Sequence, residues 1–281
     1  MSAEDAFASA AILGLGLVGG SLARDLLARG VRVRAYDPAV AARGAATVGA
    51  PLAQIDLVAA PEALAGAELV VLAVPVSAAP AMLAELRPHL GAARLVLDVG
   101  STKRSVVAAA ASLGVGERFV GCHPLAGDHR SGWDASRAGL FDGARVYLCA
   151  TPSTAPDAMT RAAALWRSLG AHPTVVTPDE HDRLVAWTSH LPQSVASALA
   201  NALALAGIPP AALGPGGRDV TRLAGSSPEL WTAIAADNAD FLDEAVGAMQ
   251  AELAGLRTAL AAGDRGALER FFGRGRGWFE G

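Results

Sequence analysis

The stretch GCHPLAGDHRSG, residues 121–132, sets two of the chain's six histidines beside an aspartate and an arginine. Histidine is the side chain that changes charge near neutral pH, so His123 and His129 are candidates for proton transfer. With Asp128 they form a candidate metal set, and an ordinary polar loop is the third reading. The metal reading is the weakest, because only Asp128 lies nearby as a further ligand, and we expect no metal. Proline and glycine break any helix here, and the apolar run ERFVGC before it reads as a strand. His123 therefore stands at a strand end. Cys122 and Cys149 are too few for a disulfide framework or a four-cysteine zinc site and read as buried thiols.

A second constellation lies near the N-terminus. ILGLGLVGGSLARDLLARG places Gly14-x-Gly16-x-x-Gly19 after a strand and at the opening of a helix. Such glycines allow a tight turn, close approach of backbone to a pyrophosphate, and close helix–sheet packing. The first-turn residues Leu17 and Val18 add unpaired N–H groups that favour an anion. The next strand ends in VRAYD, and a carboxylate at Asp37 suits the ribose hydroxyls of NAD while repelling the 2′-phosphate of NADP. Arg43, close by in sequence, keeps NADP as the lesser alternative. Val74 and Pro75 are expected to line the cofactor's ribose side. DVGSTK puts Ser101 and Lys103 just past a strand's carboxyl end, where open α/β sheets bind ligands. Ser101 is also placed to cap the following helix, and Lys103 reads as a surface lysine at its start.

These residues need a sheet to gather them. The runs AAILGLG, VRVRAYD, LVVLAVP, RLVLDVG and RFVGCHP alternate with helix-length segments, the signature of a parallel, doubly wound sheet. RVYLCATP reads as one more strand and HPTVVTP as a last edge strand, with DAMTRAAALWRSLGA a helix between them. The expected fold is α/β: a Rossmann-type domain over residues 1–152, then an all-helical dimerisation domain over 153–281. TPDEHD opens a long helix with Thr177 as N-cap and Glu180 reaching back, running through LVAWTSHLPQSVASALANALALAG with a kink at Pro192. SSPE opens a second, with apolar residues at Leu230, Ile234, Phe241, Ala245, Met249, Leu253, Leu256 and Leu260. At about 1.5 Å per residue it would be about 50 Å long, too long to bury its stripe alone. An intertwined homodimer is the expectation.

Composition excludes other classes. The hydrophobic fraction is 52% and mean hydropathy is +0.34, but much of this is alanine and no apolar run approaches the roughly 20 residues of a membrane span. The acidic start MSAEDAFASA does not read as a signal peptide, so a cytoplasmic protein is expected. A net charge of −4 argues against a nucleic-acid surface. An anionic substrate must be held by a few placed cations.

GLGLVGGSLA, DVGSTK, HPLAG…SG, HDRLVAWTSHLP and GGRDVTRLAGSSPELW occur in this order. Together they resemble the prephenate/arogenate dehydrogenase family of tyrosine biosynthesis, from Ile12 to about Asn238. The resemblance implies an NAD-dependent oxidative decarboxylation of a dianionic or zwitterionic cyclohexadienol. It implies that His123 holds the ring hydroxyl and takes its proton, that Ser101 orients it, and that Arg222 binds a substrate carboxylate. It extends substrate binding to His190 and Gln193 of SHLPQ; Arg218 is equally suited to pairing with Asp219 or Asp182. His181 and Asp182 read as capping and domain-contact residues, and Trp187 and Trp231 as core or interface aromatics. Two positions depart from the family. Gln193 stands where many members carry a histidine, a hint towards arogenate or relaxed specificity, and His129 stands where a glutamate is common. The chain ends soon after the second long helix, so neither a regulatory domain nor a fused mutase is expected.

Rival readings are a β-hydroxyacid or imine-reducing dehydrogenase, an enzyme acting on an amino-substituted prephenate, and a non-catalytic NAD-binding redox sensor. The first usually relies on a lysine in a second-domain helix, and this chain has no lysine beyond Arg104.

Overall fold

LVVL (69–72) and LVLD (95–98) are buried at every position. Only strands covered on both faces carry such runs. The computed structural model describes residues 7–43, 54–127, 130 and 132–281. Among these, eight strands form one sheet: β1 (Ser9–Leu13), β2 (Arg32–Tyr36), β3 (Asp56–Leu57), β4 (Leu69–Leu72), β5 (Leu95–Asp98), β6 (Phe119–Pro124), β7 (Arg145–Ala150) and β8 (His172–Val175). Their order is β3-β2-β1-β4-β5-β6-β7-β8. All neighbours run parallel except β6 and β7.

Side chains alternate between the two faces with period two. Ile12, Val71 and Leu97 join one core, with Leu22 and Leu26 of α1 (Leu17–Leu27) and with Leu165 and Trp166 of α5 (Pro156–Ser168). Leu13, Leu72 and Val96 join the other, with Leu83 of α3 (Ala79–Leu86) and Val106, Val107 and Ala110 of α4 (Arg104–Ser112). A short α2 (Pro38–Arg43) follows β2. The strand order reverses between β1 and β4, which puts the ends of those two strands at the crevice where such folds bind ligands.

The sheet does not stop at residue 152. Helix α5 packs on it and β8 pairs with β7, His172 opposite Arg145, so the boundary expected at 152/153 moves to the turn before Thr177. Helix α6 (Pro178–Val185) begins there with the expected capping box: Thr177 Oγ1 accepts from Glu180 N–H, and Glu180 accepts from Thr177 N–H. The kink expected at Pro192 is a π-turn over Ala186–His190, where Leu191 N–H reaches back to Ala186 O, followed by α7 (Leu191–Leu205). A proline lacks the N–H for the regular ladder and its ring crowds the carbonyl four residues back; widening the turn before it relieves both.

After α8 (Pro215–Thr221) and a 3-10 turn over Arg222–Gly225, the second long helix is broken. Helix α9 (Pro228–Asp237), capped by Ser227, ends at Asn238 with φ −121° and ψ 34°, and α10 (Ala239–Ala262) starts afresh. At 1.5 Å per residue α10 is about 36 Å long rather than the expected 50 Å. The break has a cause: Asn238 is wholly buried, its amide donates to Asp182 O at 2.8 Å and meets His190 Nδ1 at 3.2 Å, and its Oδ1 accepts from Arg104. A continuous helix could not turn these bonds inward. Gly263, at φ 64°, ends α10 and leads to α11 (Arg265–Glu280), capped by Asp264. Leu253, Leu260, Phe272, Trp278 and Phe279 remain exposed on α10 and α11. No described helix is long and apolar enough to cross a membrane.

Candidate active site

The glycine loop follows β1 directly. A Cβ at Gly14 would collide with the Ala73 carbonyl, and φ there is +92°. A Cβ at Gly19 would strike Gly14 O and Ala73, so α1 packs against the end of β4 only with glycine there. Gly16 differs: nothing lies within 4 Å of a Cβ built on it. It is the N-cap of α1, with no side chain bonding the first turn, so the amides of Leu17 and Val18 face outward. An open approach above an uncapped helix N-terminus fits a pyrophosphate. Asp37, at the end of β2, accepts from Leu15 N–H at 2.7 Å and Val40 N–H at 3.0 Å. Its carboxylate is thereby fixed beside the loop, where a ribose diol would meet it. Val74 and Pro75 follow β4, and the Val74 amide lies 3.4 Å from the same Gly14 Cβ position.

His123 lies near the end of β6, opposite Tyr147 of β7. Its Nδ1 is 2.9 Å from Nε2 of His181, and His181 Nδ1 is 2.7 Å from Asp182 Oδ1. Both His181 and Asp182 are wholly buried. Asp182 can only accept, so His181 Nδ1 carries the proton and its Nε2 must accept from His123 Nδ1–H. The free lone pair on His123 is therefore Nε2. Burial holds His123 well below the ordinary histidine pKa, helped by the neighbouring His181, Lys103 and His190. Burial also lowers His181, against the pull of Asp182. Burial alone would raise Asp182, but hydrogen bonds from His181 and from the backbone N–H groups of Arg104 and Lys103 outweigh it and hold the carboxyl below its usual value. The arrangement is an oriented, uncharged imidazole with its outer nitrogen available, as a general base requires.

The same aspartate caps α4. Asp182 Oδ1 accepts from Lys103 N–H at 2.8 Å and Oδ2 from Arg104 N–H at 2.9 Å. Ser101 is thus relieved of the capping role the sequence offered it. It sits half-buried in the turn after β5, between Gly100, whose N–H binds Asp98, and Thr102, whose hydroxyl binds Asp237. Lys103 is no surface residue; it is fully buried against Asp98. His181 and Asp182, read from sequence as capping and domain-contact residues, do make such a contact through Asp182, but the bond from His181 to His123 was missed. A helix-start capping pattern masked a contact made across 58 residues.

His190, in the π-turn, is buried against Asn238, with Trp231 edge-on at 5.9 Å. Gln193 donates from Nε2 to Leu223 O at 2.9 Å, while its buried Oε1 has no hydrogen-bond partner among the described residues. Arg222, adjacent to Leu223, is exposed. Arg218 donates to Leu213 O rather than to Asp219 or Asp182. A cavity of about 300 Å³ adjoins Gln193, lined also by Ser197, Trp231 and Leu242. His123 is not among its walls. His129 lies outside the described residues, and no group of three metal-ligating side chains occurs among the described ones.

A doubly wound sheet with a glycine loop at its switch point, an oriented imidazole at a neighbouring strand end and a helical second part define a dinucleotide-binding dehydrogenase. Residues 22–175 match the prephenate dehydrogenase nucleotide-binding domain, and residues 177–274 the prephenate dehydrogenase dimerization domain. The chain belongs to the prephenate dehydrogenase family. It is 33% identical over 276 residues to a cyclohexadienyl dehydrogenase of Zymomonas mobilis, covering 95% of this chain and 93% of that one. It is 34% identical to the prephenate dehydrogenase of Bacillus subtilis over 213 residues, 73% of this chain and 57% of that longer one. Among solved structures, Aquifex aeolicus prephenate dehydrogenase with hydroxyphenyl propionate and NAD+ superposes with a TM-score of 0.85 at 27% identity, over 98% of each chain. Synechocystis arogenate dehydrogenase does so with a TM-score of 0.78 at 30% identity, over 97% of this chain and 99% of that one.

Proposed function

We propose that the protein carries out NAD-dependent oxidative decarboxylation of prephenate, arogenate or both, giving 4-hydroxyphenylpyruvate or tyrosine. The His123–His181–Asp182 chain beside the dinucleotide crevice is the observation that carries this reading. NAD, when bound, supplies the hydride acceptor. His123 Nε2 accepts the proton of the ring hydroxyl as the ring carboxylate leaves as CO2, and Ser101 orients that hydroxyl. His181 and Asp182 hold the imidazole in the accepting tautomer and share the positive charge it gains. Arg222 offers a carboxylate a bidentate guanidinium. His190 supports the wall from which Gln193 projects.

Gln193 favours arogenate. Leu223 O can only accept, so the amide nitrogen must face it, and the carbonyl oxygen is left as an acceptor. An acceptor suits the ammonium of arogenate; it gives nothing to the keto-acid side chain of prephenate. NADH formation by purified protein with each substrate and with NAD or NADP tests both statements. We expect turnover with NAD and a higher kcat/KM for arogenate; no turnover with either substrate refutes the assignment. The exposed apolar residues of α10 and α11 support a homodimer through the helical part, and light scattering of the eluted protein checks it.

A further inference from the structure

Of the 23 lysines and arginines in the chain, Lys103 is the single lysine. Among the described residues it is also the most deeply buried cation, at 0% exposure, with its ammonium on the Asp98 carboxylate. A chain that uses arginine everywhere else has one compact ammonium, and it is here, on a buried carboxylate.

Its surroundings are specific. Cβ atoms built on Gly100 and Gly121 would press on the pair: at Gly121, Lys103 Cδ lies at 3.2 Å and Asp98 Oδ1 at 3.3 Å. Gly121 and His123 are two residues apart on β6, so their side-chain positions share one face of the strand, about 7 Å apart. The lysine stem therefore lies under the face from which His123 projects. The backbone N–H of the same residue holds Asp182, which holds His181, which holds His123.

We propose that Lys103, paired with Asp98, is a positioning residue for His123: its side chain lies beneath the strand face that carries the imidazole, while its amide anchors the Asp182–His181 chain that aims it. The inference rests on His123 as the proposed base. The groups facing His123 are His181 and Asp182 from α6, His190 from the π-turn, Tyr147 from β7, Asp98 from β5 and Lys103 itself. Of these, Lys103 is the cation, and a nearby like charge disfavours a protonated imidazole. Burial of an ion pair costs desolvation that hydrophobic residues would not, so the pair is poorly explained as a stabilising device alone.

Two variants break the same pair with different expected results. In Lys103→Met the acid limb of kcat/KM and the His123 imidazole titration, followed by NMR, both move up by about one pH unit, a tenfold loss on the acid side. In Asp98→Asn, which keeps the ammonium, the limb stays or moves down. Should Lys103→Met fail to fold with its unpaired carboxylate, the neutral double variant Asp98→Asn/Lys103→Met carries the same expectation as Lys103→Met. Equal loss of kcat in all variants with the limb and the titration unmoved would show a structural role only and overturn the inference. The NMR titration needs no turnover, so it decides the point even if His123→Asn keeps its activity and the proposed base is wrong. Protein labelled with 15Nζ-lysine gives one side-chain signal; a neutral amine at pH 7 would equally overturn the inference.

Discussion

Asp182 completes the N-terminus of a helix it does not belong to, accepting the Lys103 N–H at 2.8 Å across 79 residues of chain. The same Oδ1 fixes His181. One carboxylate thus docks the helical part on the sheet and sets the tautomer of His181 and, through it, of His123. Asp182→Asn keeps the shape but presents an N–H2 that can turn His181 the wrong way. We expect kcat to fall by about 10²- to 10⁴-fold, with a loss of about 1 kcal/mol from the weakened cap. Steady-state kinetics with thermal melts separates the two; a fall in Tm with kcat intact contradicts the aiming role.

The two loop glycines predict opposite outcomes. Gly14→Ala puts a Cβ into the Ala73 carbonyl at a φ of +92° and should lower Tm markedly. A Cβ at Gly16 meets nothing within 4 Å, so in Gly16→Ala Tm should hold while NAD binding weakens at least tenfold. Calorimetry of NAD binding beside the melting curve checks both.

Asp37→Asn keeps an acceptor for only one of the Leu15 and Val40 N–H groups, turns an N–H2 towards the other, and loses the charge that repels a 2′-phosphate. The ratio of kcat/KM for NAD over NADP should fall by about tenfold. An unchanged ratio would place cofactor choice elsewhere.

Acid should destabilise the fold in a defined window. His190 is pushed by burial from 6.5 down to about 4, and His123 and His181 are lowered too. With folded values below the unfolded ones, the unfolded chain binds protons first. The stability these histidines contribute is whole above about pH 6.5 and is lost as pH falls towards 4. Tm measured from pH 8 to 4.5 should drop across that interval, and less in His190→Asn; a Tm that rises on acidification would be inconsistent with buried neutral histidines.

Local patterns carried most of the fold. The strands, the glycine loop and the Thr177 cap are encoded in near neighbours, and each stands where residue spacing puts it. Two-residue β3 carries too little periodicity to be seen. What stayed hidden depends on partners far away in sequence: the break at Asn238, the burial of Lys103, and His181 behind His123. A lysine at a helix start and a buried ion pair look identical until the facing strand is placed, and Asn238 has no proline or glycine to announce a stop. His123 and Ser101 were visible as strand-end residues, but what orients the His123 imidazole was not.

The π-turn at Ala186–His190 sets the phase of the helix that follows it. Such a turn holds one residue more than the α-helical path it replaces. Removing that residue would restore a straight helix and rotate everything beyond it by about 100°. His190 and Gln193 would swing off the wall they now form, while His181 and Asp182 stayed on theirs. The one extra residue therefore fixes how the two halves of this helix face each other.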